Sequence, residues 1–184
     1  MAFLSLTRTA ALGAVAIVAL ARGTPVSGQA GVEADVKAAF LFNFTKFVEW
    51  PATAPAGAFE ICTLAEPGFD GALARTVEDE TTGGRPIVRV TPEAPELASA
   101  CHILFISRGA GPQADRWLAA VRGLPVLVVG ESKAAADAGA HITFVVENNR
   151  VKFDVNEDAA SRAGLKISSK LLRVARHVTA RSGS

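Results

Sequence analysis

Two hydrophobic patterns take turns along the chain. Short, nearly continuous apolar runs occur at Phe59–Leu64, Arg85–Val90, His102–Ile106 and Leu124–Val129 and read as strands. The last two are almost wholly apolar, as strands covered on both faces are. Between them, Glu33–Trp50, Asp70–Glu78 and Asp115–Val121 return apolar residues at helical spacing. This alternation predicts an α/β domain: one mostly parallel sheet with helices on both faces. Ile142–Val146 and Val151–Val155, joined by Glu147-Asn148-Asn149-Arg150, add an antiparallel hairpin at the C-terminal edge. Arg150, Lys152, Asp154 and Asn156, on the polar side of its second strand, suit an edge kept charged against pairing. Thr91–Ala100, with Pro92 and Pro95, reads as a loop barred from helix throughout.

The first helix has an apolar stripe at Val36, Phe40, Phe44 and Phe47, with Asp35, Phe42, Thr45, Lys46 and Glu49 opposite. Phe42 stands alone among polar neighbours. Aromatics are enriched where proteins dock, so it is a candidate contact residue. Trp50-Pro51 ends the helix, because proline disfavours helical geometry in the residue before it.

After the hairpin comes a short polar helix from Glu157, for which Asn156 is a candidate cap, then the turn Ala163-Gly164-Leu165 and a final helix opened by Ser168. Its expected buried stripe is Ile167, Leu171, Val174, Ala175 and Val178. Lys170, Arg173, Arg176 and His177 fall on the outer face, either as solvated cations near a helix C-terminus or as a surface for an acidic protein or anionic lipid headgroups.

A chain of 184 residues with 49% apolar content builds one domain with a real core. Its net charge of +1 forces neither nucleic acid nor an acidic substrate as partner. Residues 1–30 are different material: Arg8, an apolar run from Ala10 to Ala21, then TPVSGQA with small residues Gly28 and Ala30. That is the pattern of a secretory signal peptide cut ahead of Gly31. An uncleaved anchor is the competing reading, but a membrane helix wants about 20 apolar residues. The domain then comprises residues 31–184 and works outside the cytoplasm, most simply in a bacterial periplasm.

In an oxidising compartment an even pair of cysteines is expected to bridge, so Cys62 and Cys101 form a disulfide; two unpaired core thiols are the alternative. A bridge requires Cα atoms within about 7 Å. It therefore places the first and third strands side by side and predicts the strand order 2-1-3-4, with the hairpin after it.

Gly130-Glu-Ser-Lys-Ala134 follows an apolar strand and resembles a serine nucleophile elbow, although Ala134 stands where the elbow needs glycine. Ser132 is more simply a helix cap. His102, His141 and His177 are scattered, without metal-ligand spacing, and neither a metal nor a cofactor is expected. Open α/β sheets take ligands at the carboxyl ends of their strands. Here those ends are Ala65, Ser107–Gly109 and Gly130–Ser132, the candidate site for a small molecule.

The segments AAFLFNFTKFVEWP, CHILFISRG, HITFVVENNRVKFDVN and AASRAGLKISSKLLRVA, in that order behind a signal peptide, resemble the YfiR family of periplasmic proteins from about Val36 to Val178. The resemblance implies a regulator without enzymatic activity that binds the periplasmic sensor domain of a membrane signalling protein. In the best-known case that protein is a diguanylate cyclase, which makes cyclic-di-GMP. It also implies a homodimer. Cys62 and Cys101 match a family disulfide, while the second cysteine pair of some members is absent, which leaves a plain staple in place of a redox switch. The expected working surface joins Phe42, Phe47, Glu49 and Trp50 to Asp154, Asn156 and Lys166.

Overall fold

Successive residues of the central strands feed two separate cores. Ile61, Ile103, Phe105, Leu127 and Val129 belong to one, and Cys62, Leu104, Ile106 and Val128 to the other. This is the period-two geometry of strands covered on both faces. The computed structural model describes residues 27–180, so most of the expected leader lies outside the described residues. The first core packs beneath α1 (Ser27–Phe47) and α2 (Pro67–Val77), the second beneath α3 (Ala114–Ala120) and α4 (Lys133–Asp137).

The strands are β1 (Val48–Glu49), β2 (Phe59–Leu64), β3 (Thr81–Thr82), β4 (Arg85–Val90), β5 (Ile103–Ile106), β6 (Leu127–Gly130), β7 (Ile142–Glu147), β8 (Arg150–Asn156), β9 (Lys166–Ile167) and β10 (His177–Thr179). Two further helices, α5 (Glu157–Arg162) and α6 (Ser169–Val174), lie between the last of them. The main sheet runs β10-β8-β7-β6-β5-β2-β4-β3, while β1 and β9 form a small antiparallel ladder of their own. Strands β4, β2, β5, β6 and β7 are parallel, and β8 turns back against β7. This is the order 2-1-3-4 followed by the hairpin. The Cys62–Cys101 disulfide, with Cα atoms 5.8 Å apart, joins β2 to the residues entering β5.

Four local expectations are corrected. The buried line of α1 runs through Ala38, Leu41, Phe44 and Thr45, with Phe40 half-buried and Val36 exposed. Phe44 lies on that line as its spacing implies, while Phe40 packs from the flank. Phe40 and Phe44 meet Phe153 edge-on at 5.3 and 5.4 Å. The helix also stops at Phe47, three residues early, because Val48 and Glu49 extend to pair with Ile167 and Lys166.

The expected final helix is only six residues long. It ends at Val174, which is 67% exposed, and the chain then lies down parallel to β8 as β10, with the Arg176 amide donating to the Phe153 carbonyl at 2.8 Å. The hairpin is therefore not left bare. Its charged Asp154 is held by Arg176 at 2.8 and 2.5 Å, and Arg176 also pairs with Glu147. Last, Pro95–Ala100 forms a 3-10 helix with Pro95 at its first position, where a missing N–H costs nothing.

Candidate functional site

The β1–β9 ladder is where distant parts of the expected surface meet. Val48 is buried opposite Ile167, and exposed Glu49 is the direct partner of exposed Lys166. The Ser168 amide extends the ladder by donating to the Phe47 carbonyl at 2.9 Å, and its hydroxyl caps α6 by accepting from the Leu171 amide at 3.3 Å. Gly164 lets the chain pass tightly here: φ is +76°, and a β-carbon would lie 3.4 Å from Pro51. Phe47 is half-buried beside this strap.

Trp50 fixes the strap to the sheet. Its Nε1–H donates to the His102 carbonyl at 3.1 Å, and its ring meets Phe59 edge-on at 4.9 Å. His102 is fully buried; its Nδ1 accepts from the Glu60 amide at 3.1 Å, so the neutral ring carries its proton on Nε2, 2.9 Å from the Pro55 carbonyl. Arg85 gathers the same loop by donating to the carbonyls of Pro55, Gly57 and Ala58.

The other expected contact residues have local partners. Phe42 is half-buried, with the Lys46 ammonium 3.8 Å above its ring. Asp154 belongs to the Arg176 cluster, and Arg176 holds its carboxyl below the usual carboxylate range. Asn156 accepts from the Ala159 amide at 2.9 Å and caps α5. The structure thus brings Phe47, Glu49, Trp50 and Lys166 to one strap.

The carboxyl ends of β2, β5 and β6 open onto a crevice of about 790 Å³, lined by Phe69 and Phe105 with Lys37, Glu66, Arg108 and Glu131. Lys37 is buried, 2.7 Å from Glu131 and also paired with Glu33. Burial alone would lower its pKa, but the bonds to Glu131 and Glu33 raise it above the ordinary value and keep the ammonium charged. The Arg108 amide donates to Glu131 at 3.1 Å. A β-carbon at Gly109 would lie 2.1 Å from Glu66 Oε1, so that carboxylate leans directly on the turn and would have to swing aside for any larger residue. Ser132 beside this crevice accepts from the Ala135 amide at 3.0 Å and caps α4. The Lys37–Glu131 pair had no distinct signal in sequence, because a lysine four residues after a glutamate reads as an ordinary surface pair.

A family model described as YfiR/HmsC-like matches residues 34–176. The chain belongs to that family. Among solved structures, this YfiR/HmsC-like chain is similar to a conserved domain protein from Vibrio cholerae, with a TM-score of 0.58 at 11% identity. It is also similar to an ABC domain from Streptococcus pneumonia solved in complex with L-Trp, with a TM-score of 0.53 at 9% identity. Each match covers 79% of this chain and 60% of the other, so the present chain spans well under the full length of either. At such identities the likeness shows the fold alone. No helix among the described residues of this YfiR/HmsC-like protein is long and apolar enough to cross a membrane.

Proposed function

We propose that this chain is a periplasmic, non-catalytic regulator that docks, as a homodimer, on the periplasmic sensor domain of a membrane signalling protein, with a diguanylate cyclase as the output. Family membership over residues 34–176 carries the reading. The strap supports it by presenting exposed Glu49 and Lys166 beside half-buried Phe47, a mix of charge and aromatic surface suited to contact. Ser132, the one residue that suggested hydrolysis, is engaged as a helix cap.

The test is capture from solubilised membranes with the tagged mature chain. Wild type should retain an integral membrane protein, and Glu49→Lys, Lys166→Glu and Phe42→Ala should each weaken capture about tenfold, the loss of one good interface contact. Undiminished capture by all three removes the surface, and a monomer by light scattering removes the dimer.

The crevice favours a second reading, a small-molecule receptor, because it lies at the strand ends where open α/β sheets bind ligands. The Streptococcus domain of similar fold was solved with L-Trp. A melting point that rises with L-Trp concentration in wild type but not in Arg108→Ala supports this reading. A flat response in wild type removes L-Trp.

A further inference from the structure

At the opposite end of the sheet, where β6 and β7 begin, lies a separate cavity of about 550 Å³. His141 lines it and is only 7% exposed. Its Nδ1 accepts from the Val128 amide at 3.0 Å in a fully buried bond. That nitrogen must therefore be unprotonated, and the neutral ring carries its proton on Nε2. Burial, and next the Arg162 guanidinium, push the ring pKa down to about 4, so the neutral form prevails at neutral pH.

The Nε2–H has no acceptor among the described residues, yet none of their buried side-chain nitrogens lacks a partner. It must therefore open onto the cavity. Arg162 also lines the cavity, and its guanidinium pairs through one nitrogen with Asp158. Arg122 lines the same space, and its guanidinium has no acceptor among the described residues. Asp137 is the only carboxylate on the lining, and both its oxygens already accept from Lys133, at 2.9 and 2.6 Å.

Side-chain donors therefore outnumber acceptors on this space, its one carboxylate is already neutralised by Lys133, and Leu118, Val121, Val128 and Ala159 supply an apolar part of the wall. Charged and neutral N–H groups arranged in this way select an oxyanion, and an apolar wall selects what the oxyanion is attached to. We propose that this cavity binds a small organic acid, its oxyanion on the His141 Nε2–H and the guanidiniums of Arg122 and Arg162, its apolar body against Leu118, Val121 and Ala159. The site shares no residue with the strap, and it holds whether or not the docking reading does.

Calorimetric titration of the full mature chain with acetate, butyrate, hexanoate and inorganic phosphate tests it. Affinity should rise about fourfold for each added methylene, the worth of burying one, and phosphate should bind more weakly than hexanoate. Hexanoate should also move the His141 Nε2 proton resonance. His141→Asn keeps an acceptor for the Val128 amide while removing the Nε2 donor, and should weaken hexanoate at least tenfold with little change in melting point. Arg122→Ala, at an exposed position that cannot threaten the fold, should weaken it several-fold. Absence of hexanoate binding, binding indifferent to both variants, or phosphate binding as tightly as hexanoate would overturn the proposal.

Discussion

Glu49 and Lys166 are direct partners across the β1–β9 ladder, so the end of the first helix and the start of the C-terminal unit close on each other. Like charges placed opposite each other in a ladder destabilise it, by up to about 1 kcal/mol. Glu49→Lys and Lys166→Glu should each lower the urea midpoint, and the double swap should recover most of the loss. A double variant no more stable than either single one would show that the pair contributes nothing as a pair.

Acidification should weaken the fold through its buried histidines. His141 is held to about 4 by burial and Arg162, and His102 is lowered first by burial, with the Pro55 carbonyl opposing and Arg85 assisting. Above pH 6.5 the folded and unfolded chains are both neutral at His141, and its contribution is complete. As pH falls from 6.5 towards 4 the unfolded chain takes up a proton that the folded chain refuses, and stability drops by on the order of 3 kcal/mol from His141. Glu147 and Asp154, held low chiefly by hydrogen bonds from Lys152 and Arg176, extend the loss only below the ordinary carboxylate range, about 4. Urea midpoints at pH 7, 5.5 and 4.5 should show this slope, and His141→Asn should flatten it. An equally steep profile in that variant would place the titration elsewhere.

Strand order and the two-faced core were legible because they rest on local signals: apolar runs, their alternation with helices, and a cysteine pair that dictates which strands are neighbours. The capping roles of Asn156, Ser132 and Ser168 were legible for the same reason, since a cap acts within three residues. Arg176 was not. It reads as a solvated cation at a helix end, and its partners Asp154 and Glu147 lie 22 and 29 residues away, where no periodicity reaches. The truncation of the last helix follows from that same pairing, which draws the chain out beside β8. The stripe on α1 was legible in part: Phe44 is buried as its spacing implies, but the inner line is completed by Ala38, Leu41 and Thr45, and Val36 is left exposed. The lining donors of the His141 cavity come from three separate segments, and only the fold assembles them.

Lys37 and Glu131 form an ion pair whose side chains are 10% and 12% exposed. Removing one member of such a pair strands the other charge, at a cost of about 3–5 kcal/mol. Lys37→Met should therefore be strongly destabilising, while Lys37→Met combined with Glu131→Gln should recover most of the stability, because the glutamine oxygen still accepts from the Arg108 amide. Chemical denaturation of the two variants decides it. Equal losses would mean that packing of the lysine stem, not its charge, is what the site requires.

Cys62 and Cys101 are both completely buried and join positions 39 residues apart. A tie across that separation removes unfolded-chain entropy worth about 4 kcal/mol in the loop-closure account. The Cys62→Ala/Cys101→Ala variant should lose up to that amount. Burial adds a kinetic consequence: a reductant can reach the sulfurs only when β2 and the residues entering β5 come apart. Thiol labelling in mild reductant should consequently follow the rate of global opening, slowing in stabilising salt and speeding in low urea. Labelling that is rapid and indifferent to both would mean a bond open to the redox state of its surroundings, and so a switch in place of a staple.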